Sequence, residues 1–153
     1  MSAIARRHLL ILCACLATNA WAADPARGTR DEAKVLATAA AAHINAVGSA
    51  QAFKDFAADP KWRPKDMYPF SLDANGVMLY HGANDKLVGK NFTEVRDSTG
   101  KEFNKEMLAT AKKGGGWVDY QWAHPVTKKV EDKTSYVTKI DKPEGLVGVG
   151  IYR

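Results

Sequence analysis

The chain has 153 residues, a quarter of them charged, with 22 Lys and Arg against 17 Asp and Glu and only two cysteines. That length suits a single core, and lysines interspersed with acids, without a run of like charge, give no basis for nucleic-acid binding. Both cysteines, Cys13 and Cys15, fall in the first 22 residues, so the remainder has no thiol for a disulfide, a nucleophile or a thiolate metal site.

Those first residues read as an export signal. Arg6 and Arg7 precede an apolar run from His8 to Ala17, and Ala20-Trp21-Ala22 has the small-x-small pattern of a cleavage site. The run is shorter than the roughly 20 residues a membrane-spanning helix needs. Cleavage after Ala22 is expected, giving a periplasmic or secreted product. Lys and Arg then fall from 22 to 20 against 17 acids, so the net charge drops from +5 to +3, which mildly favours anionic small molecules. Leu12-Cys13-Ala14-Cys15 faintly resembles a lipoprotein signal, making lipidation at Cys15 the minor alternative.

A linker over residues 23–28 leads to a helical segment over 29–58. Thr29 and Glu32 form a capping-box pair, and Leu36, Ala40, Ile44 and Val47 recur at helical spacing. Gly48 breaks this helix, and Ser49 is placed to cap a second one that ends before Asp59-Pro60. The sheet region spans residues 59–153. It opens with a hairpin from Met67 to His81 around Asp73-Ala74-Asn75-Gly76, where Asn-Gly suits a two-residue turn with positive φ at both positions. Simple alternation puts Val77, Leu79 and His81 on one face, the face expected to meet a ligand or a covering helix.

Gly82 to Gly89 reads as a loop with Leu87 and Val88 dipping toward the core. A turn at Asp97-Ser98-Thr99-Gly100 precedes a helix from Phe103 to Lys113, with Phe103, Met107, Leu108 and Ala111 on one side. Gly114-Gly115-Gly116 stops it and lacks the Lys-Ser/Thr continuation of a phosphate loop. Three β-rich runs follow: Trp117 to Trp122, Val130 to Ile140 and Leu146 to Tyr152. The order implies an α+β domain with helices packed on an antiparallel sheet.

Candidate chemistry is sparse. His43, His81 and His124 lack zinc-ligand spacing, and no G-x-S-x-G or S-x-x-K motif supplies a nucleophile, so neither a metal nor an enzyme is expected. His43 sits mid-helix and reads as a partly exposed helix residue. His81 closes a strand on an apolar face, where an imidazole needs a partner or a ligand. Tyr120, Trp122 and His124 share one parity, and Lys133 and Tyr136 add an ammonium and a phenol on the next strand. Residue types alone leave two readings open: a pocket for a small carboxylate, or an aromatic core with a solvated lysine.

Several stretches occur in a telling order: Asp59-Pro60-Lys61-Trp62, Tyr68 to Gly76 followed by His81, Leu87 to Asn91, Asp97 to Lys101, Tyr120 to Pro125, Lys133 to Tyr136, and Val147 to Tyr152. With these, the run from Phe53 to Tyr152 closely resembles a single Cache domain of the second type, an extracytoplasmic sensor module. The resemblance implies a PAS-like antiparallel sheet of five to six strands, a long N-terminal helix, one or two covering helices, a pocket and no cofactor. It further implies small organic acids such as acetate, propionate, pyruvate or lactate as ligands. Tyr68, Phe70, His81, Tyr120, Trp122, Lys133 and Tyr136 fall at pocket-lining positions of such domains. His124 stands where many relatives carry a lysine before the proline, so charge there depends on pH.

The sequence runs to Arg153 without a second membrane helix or an output domain. The expected role is therefore a binding protein that signals through a separate membrane sensor kinase or chemoreceptor, with the N-terminal helix as a homodimer surface. The alternative is an interaction module with a vestigial pocket, docking through the helix from Thr29 to Val47. A small enzyme using His81 and Lys133 as acid and base ranks last, since no nucleophile or metal accompanies them.

Overall fold

The computed structural model describes residues 26–153; the export signal, its cleavage after Ala22 and lipidation at Cys15 lie outside the described residues. Helix α1, Arg30–Val47, starts at the expected capping box: the Thr29 hydroxyl accepts from Glu32 N–H, and the Glu32 carboxylate accepts from Thr29 N–H. Lys65 Nζ donates to both Glu32 oxygens at 2.8 Å, tying the connector after residue 62 to the start of α1. Gly48, at φ 84°, ends α1 and directly precedes α2, Ser49–Ala58. Ser49 does not cap α2, contrary to the sequence reading: it is the first helical residue, and the cap position belongs to Gly48, whose φ favours glycine.

Five strands form one antiparallel sheet: β1 Pro69–Asp73, β2 Met78–His81, β3 Gly116–Ala123, β4 Val130–Asp141 and β5 Glu144–Tyr152, in the order β2-β1-β5-β4-β3. Strands β3, β4 and β5 are a meander, and β1 adds to the free edge of β5. Helices α1 and α2 cover one face, where Ala33, Ala37, Ala40, Ile44 and Phe56 pack on Ile140, Val147, Val149 and Ile151. The alanine stripe lets α1 lie close to the sheet, and Val47 at its end is exposed. The third helix, α3 Phe103–Lys112, packs Phe103, Met107 and Ala111 on the other face against Leu72, Val118, Val137 and Leu146. Leu87 joins this second core, whereas Val88 points to solvent, so only one of the two expected loop contacts forms.

The hairpin forms at the expected place with a different turn. Gly76 N–H donates to the Asp73 carbonyl and Asp73 N–H to the Val77 carbonyl, while the Asp73 carboxylate accepts from Asn75 and Val77 N–H. Gly76 has φ 81°, and Asn75 is not among the positive-φ residues. This is a three-residue loop needing one left-handed residue rather than two. The pairing also slips, with Ser71 opposite Tyr80 but Leu72 opposite Met78, leaving Leu79 bulged. The bulge resets the alternation. Met78 and His81 share the α3 face, so the expected face of Val77, Leu79 and His81 is corrected to Met78 and His81.

Candidate functional site

Register places the chemistry. Tyr120 on β3 lies opposite Lys133 on β4, which lies opposite Tyr152 on β5, so three polar-tipped side chains form one row across the α3 face. Gly150 is what admits the lysine: a Cβ there would run into Ser135 Oγ and Lys133 Cε. Lys133 is 1% exposed. Its Nζ donates to Tyr68 Oη at 2.7 Å and Tyr152 Oη at 3.2 Å, and lies 4.2 and 4.5 Å from the centroids of the same two rings. The two hydroxyls are 2.9 Å apart, and Tyr152 Oη donates to the Ala123 carbonyl.

No carboxylate comes within ion-pair distance of Lys133 among the described residues. The phenols occupy two of the ammonium's three donors. Burial therefore lowers its pKa to about 7, with the more distant Asp66 charge opposing. The phenols of Tyr68, Tyr120 and Tyr152 are all pushed upward, mainly by burial.

His81 stands beside this cluster, its ring 4.9 Å from that of Tyr68 and 6.4 Å from that of Trp122. Its Nδ1 accepts from Ala83 and Asn84 N–H, which leaves the ring proton on Nε2. Burial and the Lys133 charge lower its pKa to about 3, so it is a neutral donor at ordinary pH. His124 uses its Nδ1 in the same way, accepting from Val126 and Thr127 N–H, and its ring packs 4.6 Å from Tyr152.

Between this row and α3 lies a cavity of about 20 Å³, walled by Phe70, Met78, His81, Phe92, Phe103, Asn104, Met107, Tyr120, Trp122 and Lys133. Five of the eight residues expected from the sequence line it. Tyr68 meets it through Lys133, and His124 stands behind Tyr152. Tyr136 does not join them: three residues from Lys133 on the same strand, it has opposite parity and packs against Trp117 on the α1 face, with Lys34 Nζ 5.5 Å from its ring.

The residues that sequence reasoning missed are Asn104 and Tyr152. Asn104 is 2% exposed, and its buried Nδ2 has no hydrogen-bond partner. Its signal was present, since it is three and seven residues from Met107 and Ala111 on the apolar stripe of α3. Among the described residues no three His, Cys, Asp or Glu side chains come together as a metal would require, and no helix is long and apolar enough to cross a membrane.

A five-stranded antiparallel sheet with helices on both faces and a small, mostly apolar cavity holding a few polar tips is the architecture of a PAS-like domain. The single Cache domain 2 profile matches residues 18–153. The chain belongs to that family of extracytoplasmic sensory domains, found in chemoreceptors and histidine kinases.

Among curated relatives, the sensor histidine kinase MctS of Rhizobium johnstonii is 38% identical over 88 residues, 58% of this chain and 19% of that protein. The methyl-accepting chemotaxis protein McpP of Pseudomonas putida is 35% identical over 89 residues, 57% of this chain and 16% of that one. The chain thus spans less than a fifth of the length of either. A chemotaxis protein of Vibrio parahaemolyticus superposes with a TM-score of 0.70 at 23% identity, over 80% of this chain and 86% of that one, and shows the fold. A Cache chemosensory domain solved for carboxylic acid recognition superposes with a TM-score of 0.69 at 27% identity, over 80% of this chain and 91% of that one.

Proposed function

We propose that this domain is a non-catalytic sensor that binds a small organic acid, or a similar polar metabolite, between the sheet and α3, and passes the signal to a membrane sensor kinase or chemoreceptor. One observation carries the reading: Lys133 is a buried ammonium without a counter-charge at ion-pair distance, at the wall of a cavity that also holds the unpartnered amide of Asn104. A ligand carboxylate would supply the missing charge to Lys133 and accept from Asn104 Nδ2 and His81 Nε2, with Phe70, Tyr120 and Trp122 as apolar walls. The carboxylic-acid-recognising neighbour and the kinase and chemoreceptor relatives support it.

At about 20 Å³ the cavity holds roughly one water, so an acid enters only if the wall shifts. His81 and Trp122 separate it from an outer crevice of about 350 Å³ and are the entry gate in this reading. Binding then selects the opened and reclosed arrangement by its differential affinity. Docking through α1 alone is less well supported, because the helix's apolar stripe is already buried against the sheet.

A thermal-shift screen of acetate, propionate, pyruvate, lactate and matched amines tests the proposal. An acid at a hundred times its Kd adds about 2.7 kcal/mol and raises the melting temperature by several degrees. A folded protein whose melting temperature no acid raises would overturn it.

A further inference from the structure

A second depression lies outside the Lys133 cavity, an open groove of about 600 Å³ between the start of α1, the connector at residues 63–68 and the 124–127 turn. Two residues on its walls, Arg27 and Asp66, carry opposite charges and each holds one buried side-chain atom without a hydrogen-bond partner, Nη1 and Oδ2 respectively. Each side chain is anchored by its other end: Arg27 Nη2 donates to Glu131 at 3.0 Å, and Asp66 Oδ1 accepts from Gly28 N–H at 2.7 Å. Asp66 is 8% exposed, yet no ion pair joins it to Arg27. Buried charges left half-satisfied are costly. The other cations of the groove are already engaged, Lys65 by Glu32 and Arg63 by the Ala57 carbonyl.

We infer that this groove is a second ligand site, for a free α-amino acid with an apolar side chain. The ligand's ammonium donates to Asp66 Oδ2, its carboxylate accepts from Arg27 Nη1, and its side chain lies against Met67, Pro125 and Val126, the last of which is 79% exposed without a ligand. A simple anion or a simple amine would satisfy one orphan and leave the other. The zwitterion satisfies both. The site needs neither Lys133 nor the cavity, so it stands apart from the function proposed above. The two sites are neighbours, since Tyr68 and His124 line the groove while Tyr68 holds Lys133 and His124 packs on Tyr152.

Isothermal titration of the exported protein with L-leucine, 4-methylpentanoate and 3-methylbutylamine tests the inference. Saturable leucine binding is expected, at least tenfold tighter than binding of either half-molecule at the groove. Asp66→Asn, which keeps an acceptor for Gly28, is expected to weaken leucine tenfold or more, and Arg27→Gln to do so while leaving propionate binding unchanged. Lys133→Met is expected to do the reverse. Absence of saturable leucine binding to the wild-type protein overturns the inference, as does leucine binding that survives both groove variants or is lost in Lys133→Met alone. Propionate is read in the same titrations, so failure at the Lys133 site shows separately.

Discussion

Tyr68 holds Lys133 in two ways at once: its hydroxyl accepts from Nζ at 2.7 Å, and its ring centroid lies 4.2 Å from the same nitrogen. A phenol that is both acceptor and π-face lets a cation stay buried without a carboxylate, at the cost of a depressed pKa. The arrangement does not favour stability, since apolar replacement of a buried charge is often neutral or stabilising. Lys133→Met is therefore expected to leave the melting temperature unchanged or raised. It should weaken binding of a small acid by about 10- to 100-fold, the worth of a hydrogen bond to a charged group. Melting curves and titration calorimetry on one preparation check both halves.

The same lysine predicts a pH dependence. Its folded pKa, about 7, lies below the ordinary value of 10.5. Between those values the unfolded chain binds a proton that the ligand-free native state does not, so Lys133 makes stability rise with pH from about 7 to about 10, by at most about 1.4 kcal/mol per pH unit. Above pH 10 the raised phenols of Tyr68, Tyr120 and Tyr152 reverse the slope, because the unfolded tyrosines ionise first. His81, which also faces this charge, stays neutral over that range. A bound carboxylate restores the ammonium, so acid binding at pH 8 is expected to take up close to one proton, with affinity falling up to tenfold per pH unit above 7. Calorimetry in buffers of different ionisation enthalpy reads the proton count, and Lys133→Met should bring it to zero.

Parity separates Tyr136 from the site. Its ring meets Trp117 at 5.4 Å between centroids on the α1 face, so Tyr136→Phe is expected to change acid affinity by less than about twofold. A titration showing a tenfold loss would put Tyr136 back among the ligand contacts.

Much of this layout was legible in the residues. The capping box, the Gly48 break, the Asn-Gly hairpin and the three late strands each carry a local signal, and the matching stretches set their order. What failed to show was non-local. The Leu79 bulge depends on how β2 pairs with β1 and the loop beyond, so strict alternation misassigned one strand face. The row of Tyr120, Lys133 and Tyr152 follows from register across three strands, which no single strand encodes. The fate of Tyr136 was readable from its odd spacing to Lys133, and grouping by residue type obscured it.

Asn104 shows what a buried polar residue on an apolar stripe signifies. Its Nδ2 has no partner, so removing it relieves an uncompensated burial instead of breaking a bond. Asn104→Leu, which keeps the branching and heavy-atom count, is expected to leave stability unchanged or raised by about 1 kcal/mol and to weaken acid binding by about tenfold. Lower stability together with retained binding would make Asn104 a structural residue.

Gly150 tests whether the lysine's position, rather than its charge alone, makes the site. An added Cβ would meet Ser135 Oγ and Lys133 Cε inside a closely packed layer, and overpacking of this kind costs about 1–3 kcal/mol. Gly150→Ala is therefore expected to lower the melting temperature and to weaken acid binding by moving Nζ away from Tyr68 and Tyr152. The two effects share a cause, which a double-mutant cycle isolates. In a Lys133→Ala background the stem that the new methyl strikes is gone, so the stability cost of Gly150→Ala should fall by about 1 kcal/mol or more. An additive cycle would mean that Ser135 alone meets the methyl and that Gly150 does not position the lysine.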